Sequence, residues 1–362
     1  MAQTVMIMAG GTGGHIYPGM AVADVLRERG WQVVWLGTRK GMESRIVPGA
    51  GYQMAWLSMS GLRGNGLIRK LVMPGMLLLA CAQALAAVLR HRPDVVIGFG
   101  GYPSFPGGIM AAITGLPLLV HEQNAIAGLT NRVLACVAKR VMTGFPEAFC
   151  QTIDRPLPCG KVDTQWTGNP VRASLTPAVQ ARKDRSGRLR LLVVGGSLGA
   201  QALNDVVPRA LALIGETERP VVMHQSGERH VETLRRNYRE AAVEADVKDY
   251  IQDMADAYAW CDVAITRAGA LTVAELAVAG VPAILVPYPH AVDDHQTRNA
   301  GFLTSHQAAI LMPQDRLTPE ALAGLLTGLD REQLAGMAER ALSVAKPDAA
   351  ATVADVCEEM VR

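Results

Sequence analysis

Aromatic residues make up only 5% of this 362-residue chain, and there are six cysteines. So few rings argue against a protein that stacks nucleic-acid bases on aromatic platforms. The cysteines stand at 81, 136, 150, 159, 261 and 357, with no CxxC pair. That spacing argues against a zinc ribbon, a redox dithiol or a disulfide framework, and free thiols in a reducing compartment are the expectation. The net charge of +2 is too small for a polyanion-coating protein, so no nucleic-acid partner is expected. GxxxxGK[ST], HExxH and GxSxG are all missing, which removes P-loop nucleotide hydrolysis, zincin proteolysis and the hydrolase nucleophile elbow. Residues 1–9 have no basic segment ahead of an apolar run, so no secretory signal is expected.

Apolar residues, by contrast, are plentiful at 49%, with 36 Gly and 20 Pro. That suffices for two cores and excludes intrinsic disorder. The charge is unevenly spread. Residues 1–165 carry 15 Lys/Arg against 8 Asp/Glu, and residues 166–362 carry 20 against 25, so a basic half precedes an acidic one. Residues 71–89 lack charge over 19 positions, long enough to span a bilayer. Pro74, Gly75, Gln83 and many alanines favour a buried helix instead. A third reading is a membrane-facing patch, in which Leu67, Ile68, Leu71, Val72 and Met73 are rimmed by Arg63, Arg69 and Lys70.

Short apolar runs alternate with helical patterns. Strands are expected at 5–8, 33–36, 95–98, 118–120, 140–142, 191–194, 221–224, 263–265 and 283–286, with a first helix over 17–29. This alternation predicts an α/β protein with parallel sheets. The stretch VMIMAGGTGGH (5–15) is echoed by LLVVGGSLGA (191–200), each a buried strand, a glycine turn and a helix start. The echo predicts two Rossmann-like halves. The expected division is an N-terminal domain over 1–172, a polar, basic linker over 173–190, a C-terminal domain over 191–345, and a final helix over 346–362 that packs back on the N-terminal domain.

Four glycine-bearing loops follow buried strands: 10–15, 98–108, 195–199 and 267–275. Such loops bring backbone N–H groups and a helix N-terminus up to phosphates or sugar hydroxyls. The dinucleotide fingerprint GxGxxG fails, because Ile16 stands where its third glycine belongs. The second strand ends in Gly37–Thr38 with no acid for a ribose, so a dehydrogenase is disfavoured. Glu275, early in the helix expected at 271–279, is placed to accept two ribose hydroxyls. The polar loop 287–296 follows another strand, on the ligand edge of an open sheet.

The segments GGTGGHIYPG (10–19), SGLRGNG (60–66), GGYPSFPGG (100–108), HEQNAIAGLTN (121–131), TGNPVR (167–172), GGSLGA (195–200), YIQDM (250–254), TRAGALTVAE (266–275) and DDHQTRNA (293–300) together resemble the MurG family of bacterial N-acetylglucosaminyltransferases of peptidoglycan and cell-wall synthesis. The resemblance implies a GT-B fold, two Rossmann-like domains facing across a cleft. It implies inverting transfer of GlcNAc from UDP-GlcNAc to the C4 hydroxyl of MurNAc in lipid I, giving lipid II. It further implies a peripheral enzyme on the cytoplasmic face of the inner membrane, with an anionic membrane surface as partner. Two positions depart from the family pattern: Leu198 replaces a Gln and Asp294 an Asn.

By that resemblance the base taking the acceptor proton is His15 or Glu122, between which the residues do not choose. The donor pyrophosphate meets Ser197 and Arg172, since guanidinium suits a diphosphate. Uracil lies by Ile251 and is read by backbone groups. Ribose meets Glu275, over the helix start formed by Ala270, Leu271, Thr272, Val273 and Ala274. The sugar hydroxyls meet Asn124 and Gln296, and Thr12, Gly13 and Gly14 floor the cleft. No cofactor and no metal ligand set is implied, with a divalent cation at most an activator. Two other readings share the architecture: an isomerase like the UDP-GlcNAc 2-epimerases, and a nucleotide-sugar binder without catalysis.

Overall fold

The computed structural model describes residues 2–59, 67–149 (67–72 by their backbone), 159–175, 177, 182, 184–196 and 199–361. Its contacts divide the chain into two compact units, residues 1–173 with 347–362 and residues 174–346.

The first unit runs β1 (Thr4–Ala9), α1 (Gly13–Glu28), β2 (Gln32–Thr38), α2 (Glu43–Gly49), β3 (Gln53–Leu57), α3 (Leu67–His91), β4 (Val95–Gly100), α4 (Ser104–Ile113), β5 (Leu118–Glu122), α5 (Leu129–Ala135), β6 (Arg140–Thr143) and β7 (Gln165–Trp166). The strands form one parallel sheet in the order β3-β2-β1-β4-β5-β6-β7. β1 and β4 are central and buried at every position, as continuous apolar runs in a sheet covered on both faces must be. The chain first winds outward from β1 to β3, then returns to β4 beside β1. The loops after β1 and β4 therefore part to opposite faces and open a crevice between them, where such sheets bind ligands. Trp35 on β2 is fully buried, and its indole N–H is donated to the Ala9 carbonyl at 2.9 Å, ending β1 just before the glycine loop. Gly19 lets α1 press on that ring, since a Cβ there would fall 2.9 Å from it.

The second unit repeats the scheme. It holds β8 (Arg190–Val194), α6 (Gln201–Ala212), β9 (Val221–Gln225), α7 (Val231–Glu240), β10 (Asp246–Lys248), α8 (Met254–Trp260), β11 (Val263–Thr266), α9 (Ala270–Ala279), β12 (Ala283–Leu285), α10 (His295–Thr304), β13 (Ala309–Leu311), α11 (Pro319–Thr327) and α12 (Arg331–Ser343). Its parallel sheet has the order β10-β9-β8-β11-β12-β13, with the switch between β8 and β11. The last helix, α13 (Ala349–Glu359), belongs to the first unit. There Val353, Ala354, Val356 and Cys357 join the core formed with Val22 and Leu26 of α1. Arg29 donates to Asp355 at 2.7 Å and pairs with Glu358 at 3.2 Å.

Several features differ from the sequence expectation. The first helix starts at Gly13 rather than 17, because Thr12 O receives the amides of His15 and Ile16. The Gly13–Gly14 pair does not break it, and Pro18 omits one bond to the Gly14 carbonyl. The short strands β3, β7, β10 and β13 are not among those expected; β7 and β10 carry weak apolar patterns, β3 and β13 are apolar but short, and all four owe their form to the sheets they edge. The described part of the expected linker is anchored to the second unit. Arg182 is buried and donates to the carbonyls of Tyr258, Cys261 and Gly280, and Arg185 pairs with Asp262. Cys136 and Cys159 form a disulfide, against the expectation of free thiols. Only the fold brings two cysteines 23 positions apart together; Cys81, Cys261 and Cys357 are free.

Met73–His91 within α3 is the one described helix long and apolar enough to cross a membrane. It presents Ala80, Ala84 and Val88 to the first unit's core, while Leu78, Leu79 and Leu89 on other faces are exposed. Of the expected patch, Arg63 and the side chains of 67–72 lie outside the described residues.

Because α13 fills the core of a unit distant from it in sequence, its substitutions act there. Val353→Ala is expected to cost about 1–3 kcal/mol of that unit's stability, read as an earlier denaturant midpoint for the Trp31/Trp35 fluorescence. An unchanged midpoint would mean that α13 is dispensable to the core.

Candidate functional site

The crevice at the β1/β4 switch is floored by two touching loops. Gly101 has φ +80°, and a Cβ there would lie 2.2 Å from the Gly10 carbonyl oxygen, so only glycine allows this approach. Thr12 precedes α1 without any side-chain cap, and no acid stands in the first turn. The N–H groups of Gly13 and Gly14 and the positive end of the helix dipole thus face the crevice. Thr12 Oγ1 lies 3.2 Å from His15 Nδ1. The imidazole sits over Gly100. From the point where a Gly100 Cβ would be, His15 Nε2 and Asn131 Nδ2 are each 3.3 Å away.

The neighbouring loop, after β5, is organised by Glu122. This carboxylate is 2% exposed. Oε1 accepts from Asn124 N at 2.9 Å and Asn124 Nδ2 at 3.2 Å; Oε2 accepts from Gly128 N at 3.0 Å and Asn131 Nδ2 at 2.9 Å. Four donors on one carboxylate make it a strong organiser of this loop. Behind it, Gln123 Nε2 contacts His121 Nδ1 at 3.0 Å, so His121 carries its proton on Nε2 and donates to the Gly168 carbonyl at 2.9 Å. Burial pushes His121 down to about 4. Arg172 stacks on Tyr17 of α1, its guanidinium carbon 5.3 Å from the ring centre.

Sequence reasoning missed Glu43, at the start of α2. It is fully buried, and its carboxylate accepts from Gly11 N at 3.1 Å, Thr38 N at 3.0 Å and Thr38 Oγ1 at 2.7 Å. Its only signal was an acid following GTRKG, which reads as a solvated turn.

In the second unit the corresponding edge carries the loop after β8, Ile251 and the start of α9. Gly269 precedes α9 without a side-chain cap, leaving the amides of Ala270, Leu271 and Thr272 as anion donors, with Val273 and Ala274 completing the first turns. Glu275 is 5% exposed, and its Oε2 accepts from Tyr258 Oη at 3.1 Å. Gln225, also missed, bridges two loops: its Nε2 donates to the Gly196 carbonyl at 3.2 Å, and its Oε1 accepts from Ile251 N at 3.0 Å. The Ile251 N–H is thus engaged within the unit. Gln296 Oε1 accepts from Tyr288 N at 2.9 Å. Asp293 and Asp294 both adopt positive φ, 55° and 51°, a conformation that Asp tolerates nearly as well as the Asn more usual in that motif.

Of the expected residues, Thr12, Gly13, Gly14, His15, Glu122, Asn124 and Arg172 share the first unit. Ile251, residues 270–275 and Gln296 share the second. Ser197, Leu198 and the 60–66 motif lie outside the described residues. Among the described residues, no group of three or more His, Cys, Asp or Glu could hold a metal ion.

Two parallel α/β units, each with uncapped glycine-led helix starts at its switch point, define the GT-B class of nucleotide-sugar enzymes. Residues 5–143 match the glycosyltransferase family 28 N-terminal domain and residues 190–353 its C-terminal domain. The chain belongs to glycosyltransferase family 28. It is 61% identical, over 99% of both chains, to the UDP-N-acetylglucosamine–N-acetylmuramyl-(pentapeptide) pyrophosphoryl-undecaprenol N-acetylglucosamine transferase of Thiobacillus denitrificans. A crystal structure of MurG from Acinetobacter baumannii superposes with a TM-score of 0.85 at 41% identity, covering 99% of each chain. A UDP-N-acetylglucosamine 2-epimerase shares the fold alone, at 13% identity and a TM-score of 0.63 over 98% of this chain and 95% of that one.

The buried histidines make stability depend on pH. His121 is lowered to about 4 and His224, in the second unit, to about 3, both by burial. The unfolded chain takes up these protons near pH 6.5. The stabilisation is therefore complete above that value and is lost as pH falls toward 4 for His121 and 3 for His224. Between pH 6.5 and 4 the loss from His121 is on the order of 3 kcal/mol. Denaturant titrations across that range should show it, and His121→Gln should flatten it; an equally steep dependence in the variant would exclude His121 as the source.

Proposed function

We propose that this chain transfers GlcNAc from UDP-GlcNAc to the C4 hydroxyl of MurNAc in undecaprenyl-pyrophosphoryl-MurNAc-pentapeptide, inverting the anomeric centre. Full-length similarity to enzymes named for that transfer supports the substrates. The observation that carries the mechanism is the saturation of Glu122: with four donors on its two oxygens, it holds the loop, and His15 is the base.

Inversion needs one displacement at C1. The C4 oxygen attacks as its proton passes to His15 Nε2, and the C1–O bond to UDP breaks on the opposite face. In the tautomer that can accept this proton, His15 Nδ1–H donates to Thr12 Oγ1, which orients the ring. The departing diphosphate gathers negative charge. Arg172, Ser197 and the amides at the start of α9 stabilise it, because preorganised donors act most strongly where charge develops. Ribose meets Glu275. Uracil lies by Ile251, read through that residue's carbonyl, since Gln225 holds its N–H. Asn124 and Gln296 address the GlcNAc hydroxyls, each through the amide nitrogen of a side chain already tethered to its own loop. No resident cofactor or metal takes part in this scheme.

The enzyme works peripherally on an anionic membrane, the cytoplasmic face of the inner membrane. The excess of basic residues over 1–165 and the outward leucines of α3, Leu78 being 73% exposed, support this reading. Surface cations and inserted apolar side chains bind such a face together.

The test follows label from UDP-[¹⁴C]GlcNAc into a short-chain lipid I analogue. His15→Ala should lower kcat by about 100-fold or more with an unchanged melting temperature. Glu122→Ala should lose activity and also melt earlier, because four donors lose their acceptor. Wild-type turnover in folded His15→Ala would overturn the assignment of the base. Absence of labelled lipid together with formation of ManNAc would replace transfer by epimerisation. In vesicle sedimentation, the double variant Leu78→Ser/Leu79→Ser should partition into anionic vesicles roughly tenfold or more weakly; unchanged partition would remove α3 from the membrane contact.

A further inference from the structure

Glu43 touches no group assigned to the transfer chemistry, yet the first unit makes room for its charge with three glycines. A Cβ at Gly41 would fall 2.1 Å from Oε2, one at Gly10 would fall 2.8 Å from Oε1, and one at Gly37 would fall 2.8 Å from Cγ. These glycines come from the loop after β1, from β2 and from the turn before α2, so three separate segments are shaped around one carboxylate. A buried carboxylate is tolerated only when its oxygens are satisfied, and here both are. Oε2 accepts from the Gly11 amide, and Oε1 accepts from the Thr38 amide and hydroxyl.

The consequence reaches a second loop. With its hydrogen given to Glu43, Thr38 Oγ1 is an acceptor toward Tyr102 Oη, 3.0 Å away. The Tyr102 ring in turn lies over Gly11, 3.4 Å from where its Cβ would be. One carboxylate thus ties down both strands of the crevice floor, Gly10–Thr12 directly and Gly100–Tyr102 through Thr38.

We infer that Glu43 is a positioning residue of the transfer reaction: its carboxylate holds the Gly11 amide and, through Thr38, the Tyr102 hydroxyl, fixing the loop that presents Thr12 and His15. The inference rests on the reading that the 10–15 loop carries the proton transfer. Only a carboxylate of this length can do it. Glutamine would turn an NH₂ against one of the donors, and aspartate would fall short by a methylene.

The full-length Glu43→Gln protein tests this beside His15→Ala. The volume is kept, so the fold should persist. UDP affinity by calorimetry should stay within about twofold of wild type, because Glu43 touches none of the groups proposed to hold UDP, and the donor KM within about threefold. The kcat for labelling a lipid I analogue should fall about 10- to 100-fold, the scale of a small misplacement of a catalytic group. Amide exchange in peptides covering 9–16 and 99–104 should quicken about tenfold, while peptides from β5 and β6 keep their rates. Wild-type kcat in folded Glu43→Gln, with His15→Ala inactive, would overturn the inference. Wild-type kcat in His15→Ala would instead overturn the reading beneath it. Parallel loss of kcat and UDP affinity in Glu43→Gln would make the role merely structural. If Glu43→Gln does not fold, Thr38→Val removes only the hydroxyl link. It should then lower kcat about three- to tenfold at unchanged UDP affinity, and an unchanged kcat there would overturn the inference.

Discussion

A parallel sheet whose chain reverses its winding direction leaves a crevice with no crossover helix above it, and each unit of this protein is arranged around such a point. At β1/β4 and again at β8/β11, adjacent strands send their loops to opposite faces. Backbone amides then line the gap, and two helices can aim their N-termini at one volume. This explains why glycine is concentrated where it is. The loops must approach each other and a ligand closely, and side chains at Gly101 or Gly199 would strike the opposing backbone.

Open loops of this kind have little regular hydrogen bonding of their own, so something must hold them. In the first unit, buried carboxylates do so. Glu122 gathers three donors from the loop after β5 and one from α5, and Glu43 gathers three from the loop after β1 and the end of β2. In the second unit a neutral amide, Gln225, ties the Gly196 loop to Ile251. A carboxylate gripping amides from below keeps its charge within a closed set of donors.

Much of the architecture was legible in the chain. Continuous apolar runs such as 5–8, 95–98 and 191–194 announced buried parallel strands, and the recurrence of Gly-Gly, a hydroxyl residue and a further glycine after a strand announced two related units. What escaped was short or contextual. β7 and β10 have too few apolar positions to register alone, and β3 and β13, though apolar, are too short. The start of α1 was hidden by two glycines and a proline that tertiary packing tolerates. The 173–190 segment read as a linker, yet Arg182 is buried among backbone carbonyls at the C-terminal end of α9 and around α8.

By itself the sequence determined the periodicities, and with them the α/β class, the glycine loops at strand ends and the motifs that mark the family, because these depend on residues close together along the chain. Only the tertiary structure decided which distant groups share a hydrogen bond or a covalent one. It paired Cys136 with Cys159, brought Asn131 to Glu122, returned α13 to the first unit, and buried Glu43 beneath a loop 32 positions away. A polar residue's role is set by which donors surround it, and no local pattern encodes that surrounding.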